Sequence, residues 1–170
     1  AASVVDIPVV SFGNASVAFA ATLGSRVGIV HFIPELRDQI RRNARVYGYG
    51  DLVGPVVQVG TRFHDIMASY ADPAPLVAAF EDAAREAIAQ GADVIVPGEG
   101  PLNIFLADQG VSRVDEVPVI DSLGTCLALA EVRAAQYRRT QLRPARRGFY
   151  RAQPPVEAID ATRDFYRQLW

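Results

Sequence analysis

The stretch GADVIVPGEGPLN, residues 91–103, sets one carboxylate, Glu99, between two glycines where an apolar run gives way to a helix-forming segment. The carboxyl end of a buried strand opening into a helix is where α/β proteins gather ligands. Gly98 and Gly100 allow a ligand to approach the backbone closely, and the amides that open the following helix can hold an anion. A carboxylate here becomes a general base when burial raises its pKa. Alternatively, Glu99 caps the amides of the next helix and does no chemistry.

Other groups offer chemistry at similar places. His31 closes the run RVGIVHF, where an imidazole can bind an anion, act as an acid, or simply be satisfied by backbone. Asn14 in FGNAS and Asn103 in GPLN each read as a ligand donor or as a helix cap. Asp121 follows the short apolar run VPVI. His64 falls in a loop after a strand. His31, His64, Glu99 and Asp121 lack HxH or HExxH spacing, so no metal site is expected. Cys126 sits in an Ala/Leu-rich helical stretch and reads as a small packing residue. The basic runs RRNAR (41–45) and RPARR (143–147) read as solvated faces, with arginine clamps for a carboxylate as the sharper alternative.

Composition removes several function classes. The 170 residues carry a net charge of -2, which gives no basic field for nucleic acid or an anionic membrane. All 17 basic residues are arginine, so Schiff-base, pyridoxal-phosphate and P-loop lysines are excluded within this chain. One cysteine forms no internal disulfide. No apolar run reaches the ~20 residues that span a bilayer. The expected setting is the cytoplasm, with no cofactor.

These groups need elements to position them. Beta-branched runs alternate with Ala-rich amphipathic stretches, which predicts βαβ units around a parallel sheet. The predicted strands are Pro8–Ser11, Arg26–Phe32, Pro55–Val59, Asp93–Pro97 and Pro118–Asp121. The predicted helices are Asn14–Leu23, Pro34–Tyr47, Pro75–Gln90, Leu102–Asp108 and Ser122–Tyr137, with a short amphipathic helix after Pro154-Pro155. Gly24, Gly48, Gly91 and Gly110 follow the helical runs as left-handed stops.

The chain also repeats itself. IPVV followed by SFGNASVAFA matches VPVI followed by DSLGTCLALA in pattern. Such a repeat predicts either two similar lobes, the first largely absent, or two ordinary strand–helix units of one fold. The absence of an initial Met implies either that processing removed residues or that the sequence begins inside a longer protein, and the repeat favours the second.

In this order, DIPVVSFGNASVAFAATLGSRVGIVHF, GADVIVPGEGPLN, VPVIDSLGTCLALAE and RPARRGFYRAQPP resemble the aspartate/glutamate/hydantoin racemase superfamily. The resemblance implies an α/β parallel-sheet fold of two pseudo-symmetric lobes, the first incomplete here. It divides the chain into residues 1–24 (remnant of the first lobe), 25–137 (second lobe) and 138–170 (tail and helix returning to the first). In the family two facing cysteines exchange a substrate α-proton. The second would fall at position 99, where this chain has Glu99, and the first would precede Ala1.

The resemblance therefore implies an isomerase-type proton transfer next to a carboxylate or a hydantoin carbonyl. Glu99 and His31 are its candidate catalytic groups. Asn14, Gly98, Gly100, Asn103 and Asp121 are its candidate substrate contacts. A lyase or decarboxylase of the same superfamily is the alternative enzyme, and a degenerate small-molecule-binding protein the non-enzyme alternative. A homo-oligomer is expected, because an isolated Pro8–Leu23 unit and the terminal helix leave apolar surface to cover.

Overall fold

The computed structural model describes residues 3–148 and 152–169. Phe149, Tyr150 and Arg151 of the basic–aromatic stretch, and Trp170 of the terminal helix, lie outside the described residues. The chain forms two compact units, one of Ser11–Ala128 and one of Ala1–Val10 with Leu129–Trp170.

The larger unit holds α1 (Phe12–Ala20), β1 (Val27–His31), α2 (Leu36–Val46), β2 (Val53–Gln58), α3 (Phe63–Ala68), α4 (Ala74–Ala89), β3 (Val94–Pro97), α5 (Gly100–Asp108), β4 (Arg113–Val114) and β5 (Val117–Pro118). It also holds the start of α6 (Ser122–Thr140). β1 lies between β2 and β3, parallel to both. All five residues of β1 and all four of β3 are buried, which explains why Val27–Val30 and β3 read as unbroken apolar runs.

Side-chain alternation sends the strands into two cores. Val30, Phe32, Val57 and Ile95 pack with Phe80 of α4, Ile66 of α3 and Phe105 of α5. Val27, Ile29, Val56, Val94 and Val96 pack with Val17 and Ala20 of α1, and with Ile40 of α2 beside them. Each large apolar side chain so buried contributes about 1.5–3 kcal/mol.

Gly48, Gly91 and Gly110 have positive φ, as helix stops require. Gly24 does not. There the missing Cβ serves close approach instead, because a side chain would collide with the carboxylate of Asp93.

Several expectations are corrected. Pro8–Ser11 forms no strand, since no ladder partner exists for it among the described residues. The stretch 118–121 is split: Val117–Pro118 pairs antiparallel with Arg113–Val114, and only Val119 bridges in parallel to Ile95. The segment read as a loop around His64 is the short helix α3. In α6 only Ser122 is buried; Cys126 is half-buried and Leu127 is 60% exposed, so the expected packed face of that helix is not formed.

In the smaller unit, Arg146 and Arg143 pair with Asp6 at 2.8 and 3.4 Å. The clamp foreseen for a carboxylate thus closes on the chain's own acid, and the hydrogen bond from Arg146 holds that carboxyl below its usual range. α7 (Val156–Arg167) buries none of its residues. No helix among the described residues is long and apolar enough to cross a membrane.

Candidate active site

β3 delivers Glu99 to the carboxyl edge of the sheet. The residue occupies the N-cap position of α5 in extended conformation, yet its side chain makes no capping bond, which corrects the capping expectation. The carboxylate turns instead to the β1–α2 turn. It accepts the Phe32 amide at 3.2 and 3.3 Å and the Ile33 amide at 3.1 Å. Glu99 is only 7% exposed. Desolvation pushes its carboxyl up to about 7, against the opposing pull of the two amide bonds. A carboxyl titrating there is matched to base catalysis at neutral pH.

His31 closes on the same turn. Its Nδ1 lies 3.0 Å from the carbonyl oxygen of Ile33. A carbonyl only accepts, so Nδ1 carries the proton and the neutral ring presents Nε2 as a bare acceptor. The ring is fully buried, and Nε2 has no partner. Burial favours the neutral ring, the Ile33 bond opposes that, and the Arg37 and Arg41 charges of α2 add to the fall in its pKa. Ile33 thus holds both candidate catalytic side chains, one on its N–H and one on its C=O.

Asn103 and Asp121 are brought together for a different task. Asn103 Nδ2 donates to Asp121 Oδ1 at 2.9 Å, and Asn103 Oδ1 accepts the Ser122 amide at 2.6 Å. Asp121 also accepts the Gly124 amide at 2.9 Å, which caps α6. The Asn103 bond, then the Gly124 amide, keep Asp121 ionised below its ordinary range. Both side chains are engaged in tying α5 to the start of α6.

Gly98 packs against His31 and Ile29, where a Cβ would sit 3.2 Å from each side chain. Gly100 opens α5 with free space around it. Asn14 lies inside the first turn of α1, after Ser11, and is not its cap. His64 is exposed, 3.8 Å from Asp65. Among the described residues no group of three or more His, Cys, Asp or Glu could hold a metal ion.

Two cavities lie in this unit. One of about 220 Å³ runs between α1 and α2, with Gly13, Ile29, Asn43 and Gly98 in its wall. The other, about 550 Å³, opens beside Phe32 and Ile33 at the carboxyl ends of β1 and β2, where Gln58, Thr61 and Arg62 line it. The second shares with Glu99 the two residues whose amides hold its carboxylate. Gln58, Thr61 and Arg62 escaped the sequence reading, because nothing in their spacing separates them from an ordinary polar loop.

The fold matches that of the allantoin racemase of Klebsiella pneumoniae, with a TM-score of 0.71 and 20% identity over 90% of this chain and 59% of that one. It likewise matches an allantoin racemase of Pseudomonas fluorescens, with a TM-score of 0.70 and 22% identity over 90% of this chain and 62% of that one. This chain therefore spans about three fifths of the length of both. Among curated proteins none matches it in sequence. The model of the Asp/Glu/Hydantoin racemase family matches residues 1–130, and the chain belongs to that family.

Proposed function

We propose that the chain performs isomerase-type proton transfer at a carbon next to a carbonyl of a small molecule, with Glu99 as the base. The observation that carries this reading is the buried Glu99 carboxyl, raised to about 7 and aimed at the β1–α2 turn instead of its own helix. Family membership supports the reaction class. In the proposed step the ionised carboxylate removes the proton α to the carbonyl, and the neutral acid returns it. His31, neutral and beside the turn, is the second group of the site. Gly98 and Gly100 leave backbone room for the reacting carbon, Asn14 is the proposed contact from α1, and Asn103 with Asp121 hold the α5–α6 corner.

The test is exchange. The full chain is incubated in deuterated water with a panel of hydantoins and amino acids, and loss of the α-proton signal is followed by NMR. Exchange that falls about 10²–10⁴-fold in Glu99→Gln supports the base. Exchange unchanged in that variant overturns it, and carbon dioxide release without exchange points to the decarboxylase alternative. The proposal extends to self-association, because α7 exposes Val156, Phe165 and Tyr166, and Leu169 just beyond it is exposed as well. A single monomeric species in sedimentation at micromolar concentration would overturn that part.

A further inference from the structure

Two adjacent backbone amides pointing at one spot form a small anion receptor. At the β1–α2 turn, the amides of Phe32 and Ile33 make such a receptor, and the chain's own Glu99 carboxylate fills it. A tethered group competes with free ligand at a high effective concentration, so an outside carboxylate must displace a side chain already in place.

We infer that the amide pair of Phe32 and Ile33 is a carboxylate site held shut by Glu99, so that the site rejects free carboxylates. The inference rests on the proposed function only in taking this turn as the substrate end of the site; the receptor itself stands on the hydrogen bonds. It narrows the substrate class to molecules uncharged at the group nearest Ile33.

The experiment uses formate and formamide, equal in size and different in charge, titrated into the full-length ¹⁵N-labelled chain. The expected result is saturable formate shifts at the Phe32 and Ile33 amides in Glu99→Ala, with at least tenfold weaker response in the unsubstituted chain. Formamide should show no such gain between the two proteins. Equal formate binding by both proteins, or none at those amides in Glu99→Ala, overturns the inference.

Should Glu99→Ala not fold, the unsubstituted chain decides. The Glu99 carboxyl carbon and the Phe32 and Ile33 amide protons must titrate with one midpoint, and separate midpoints overturn the inference. The two readings fail separately. Formate that binds Glu99→Ala without restoring any α-proton exchange counts against Glu99 as the base and leaves the receptor standing. Absent formate binding beside lost exchange in Glu99→Gln does the reverse.

Discussion

β3 carries an acid beyond each of its ends, and each acid reaches across to β1. Before the strand, Asp93 accepts the Ser25 amide at 2.8 and 3.0 Å, the Arg26 amide at 2.8 Å and the Ser25 hydroxyl at 2.7 Å. After it, Glu99 accepts the amides of Phe32 and Ile33. The hydrogen-bond scheme is alike, and the titration behaviour is opposite. Burial raises the Asp93 carboxyl, but it stays exposed to solvent, so the bonds from Ser25 and Arg26 outweigh that rise and hold it below its ordinary value. For Glu99, desolvation exceeds what two longer amide bonds return. The same contact thus yields a fixed anion at one end of a strand and a group poised to exchange protons at the other, and water access decides which.

The sharpest way to break this comparison is to neutralise each acid without changing its shape. Glu99→Gln should lower α-proton exchange about 10²–10⁴-fold and leave the fold intact. Asp93→Asn should leave exchange near that of the unsubstituted chain at temperatures below its unfolding midpoint. Equal loss of exchange in both variants would remove the distinction.

The next effect is on stability against pH. A Glu99 carboxyl raised from 4.5 to about 7 binds its proton more tightly in the folded state. Stability from this group is full below about pH 4.5 and falls by about 3 kcal/mol as pH rises through about 7. Asp93, whose folded pKa is lowered, acts with the opposite sign. Its contribution is present above its unfolded value and is lost as pH falls through the depressed folded one. Urea unfolding across this range should show the Glu99 slope in the unsubstituted chain and not in Glu99→Gln.

Smaller losses should follow at the Asp93 end. Asp93→Ala leaves the Ser25 and Arg26 amides without their acceptor and should cost about 1–3 kcal/mol. Gly24→Ala drives a methyl group into the same carboxylate and should cost a similar amount. Because the two changes disturb one contact, the double variant should cost less than their sum. Additive losses in thermal unfolding would show that Gly24 matters for another reason. Smallest of all, Cys126→Ala should cost under about 1 kcal/mol, since the thiol is only half-buried, and should leave exchange unchanged.

Much of the frame was legible in the sequence because it depends on side-chain type. The apolar runs of β1 and β3, the Ala-rich faces of α4 and the glycine stops at Gly48, Gly91 and Gly110 all follow from what must be buried or turned. Glu99 and His31 drew attention for the same reason: polar groups closing apolar runs. Their partners were hidden, because the Phe32 and Ile33 amides and the Ile33 carbonyl belong to every residue alike and leave no mark in composition. Asp93 stood in plain view as part of Gly-Ala-Asp, but its role depends on strand order, which periodicity does not reveal. Pro8–Ser11 misled because its residues suit a strand while pairing also needs a neighbour. The helix at Phe63–Ala68 was missed because six residues are too few to show a period.

The two acids also act as a gauge of length. Asp93 and Glu99 stand six residues apart, and so do Arg26 and Phe32, the amides they grip. Six residues of parallel strand measure about 20 Å, so β1 and β3 are matched end to end like a rod held in a caliper. Adding or deleting one residue in either strand would let only one jaw close at a time. If the Asp93 end closed, Glu99 would arrive one residue out of step with its amides, and alternation would turn it to the other side of the sheet. A chain altered in that way could keep its sheet and its core while losing the seat of its acid, so the length of β1 sets where Glu99 comes to rest as firmly as any side chain near it.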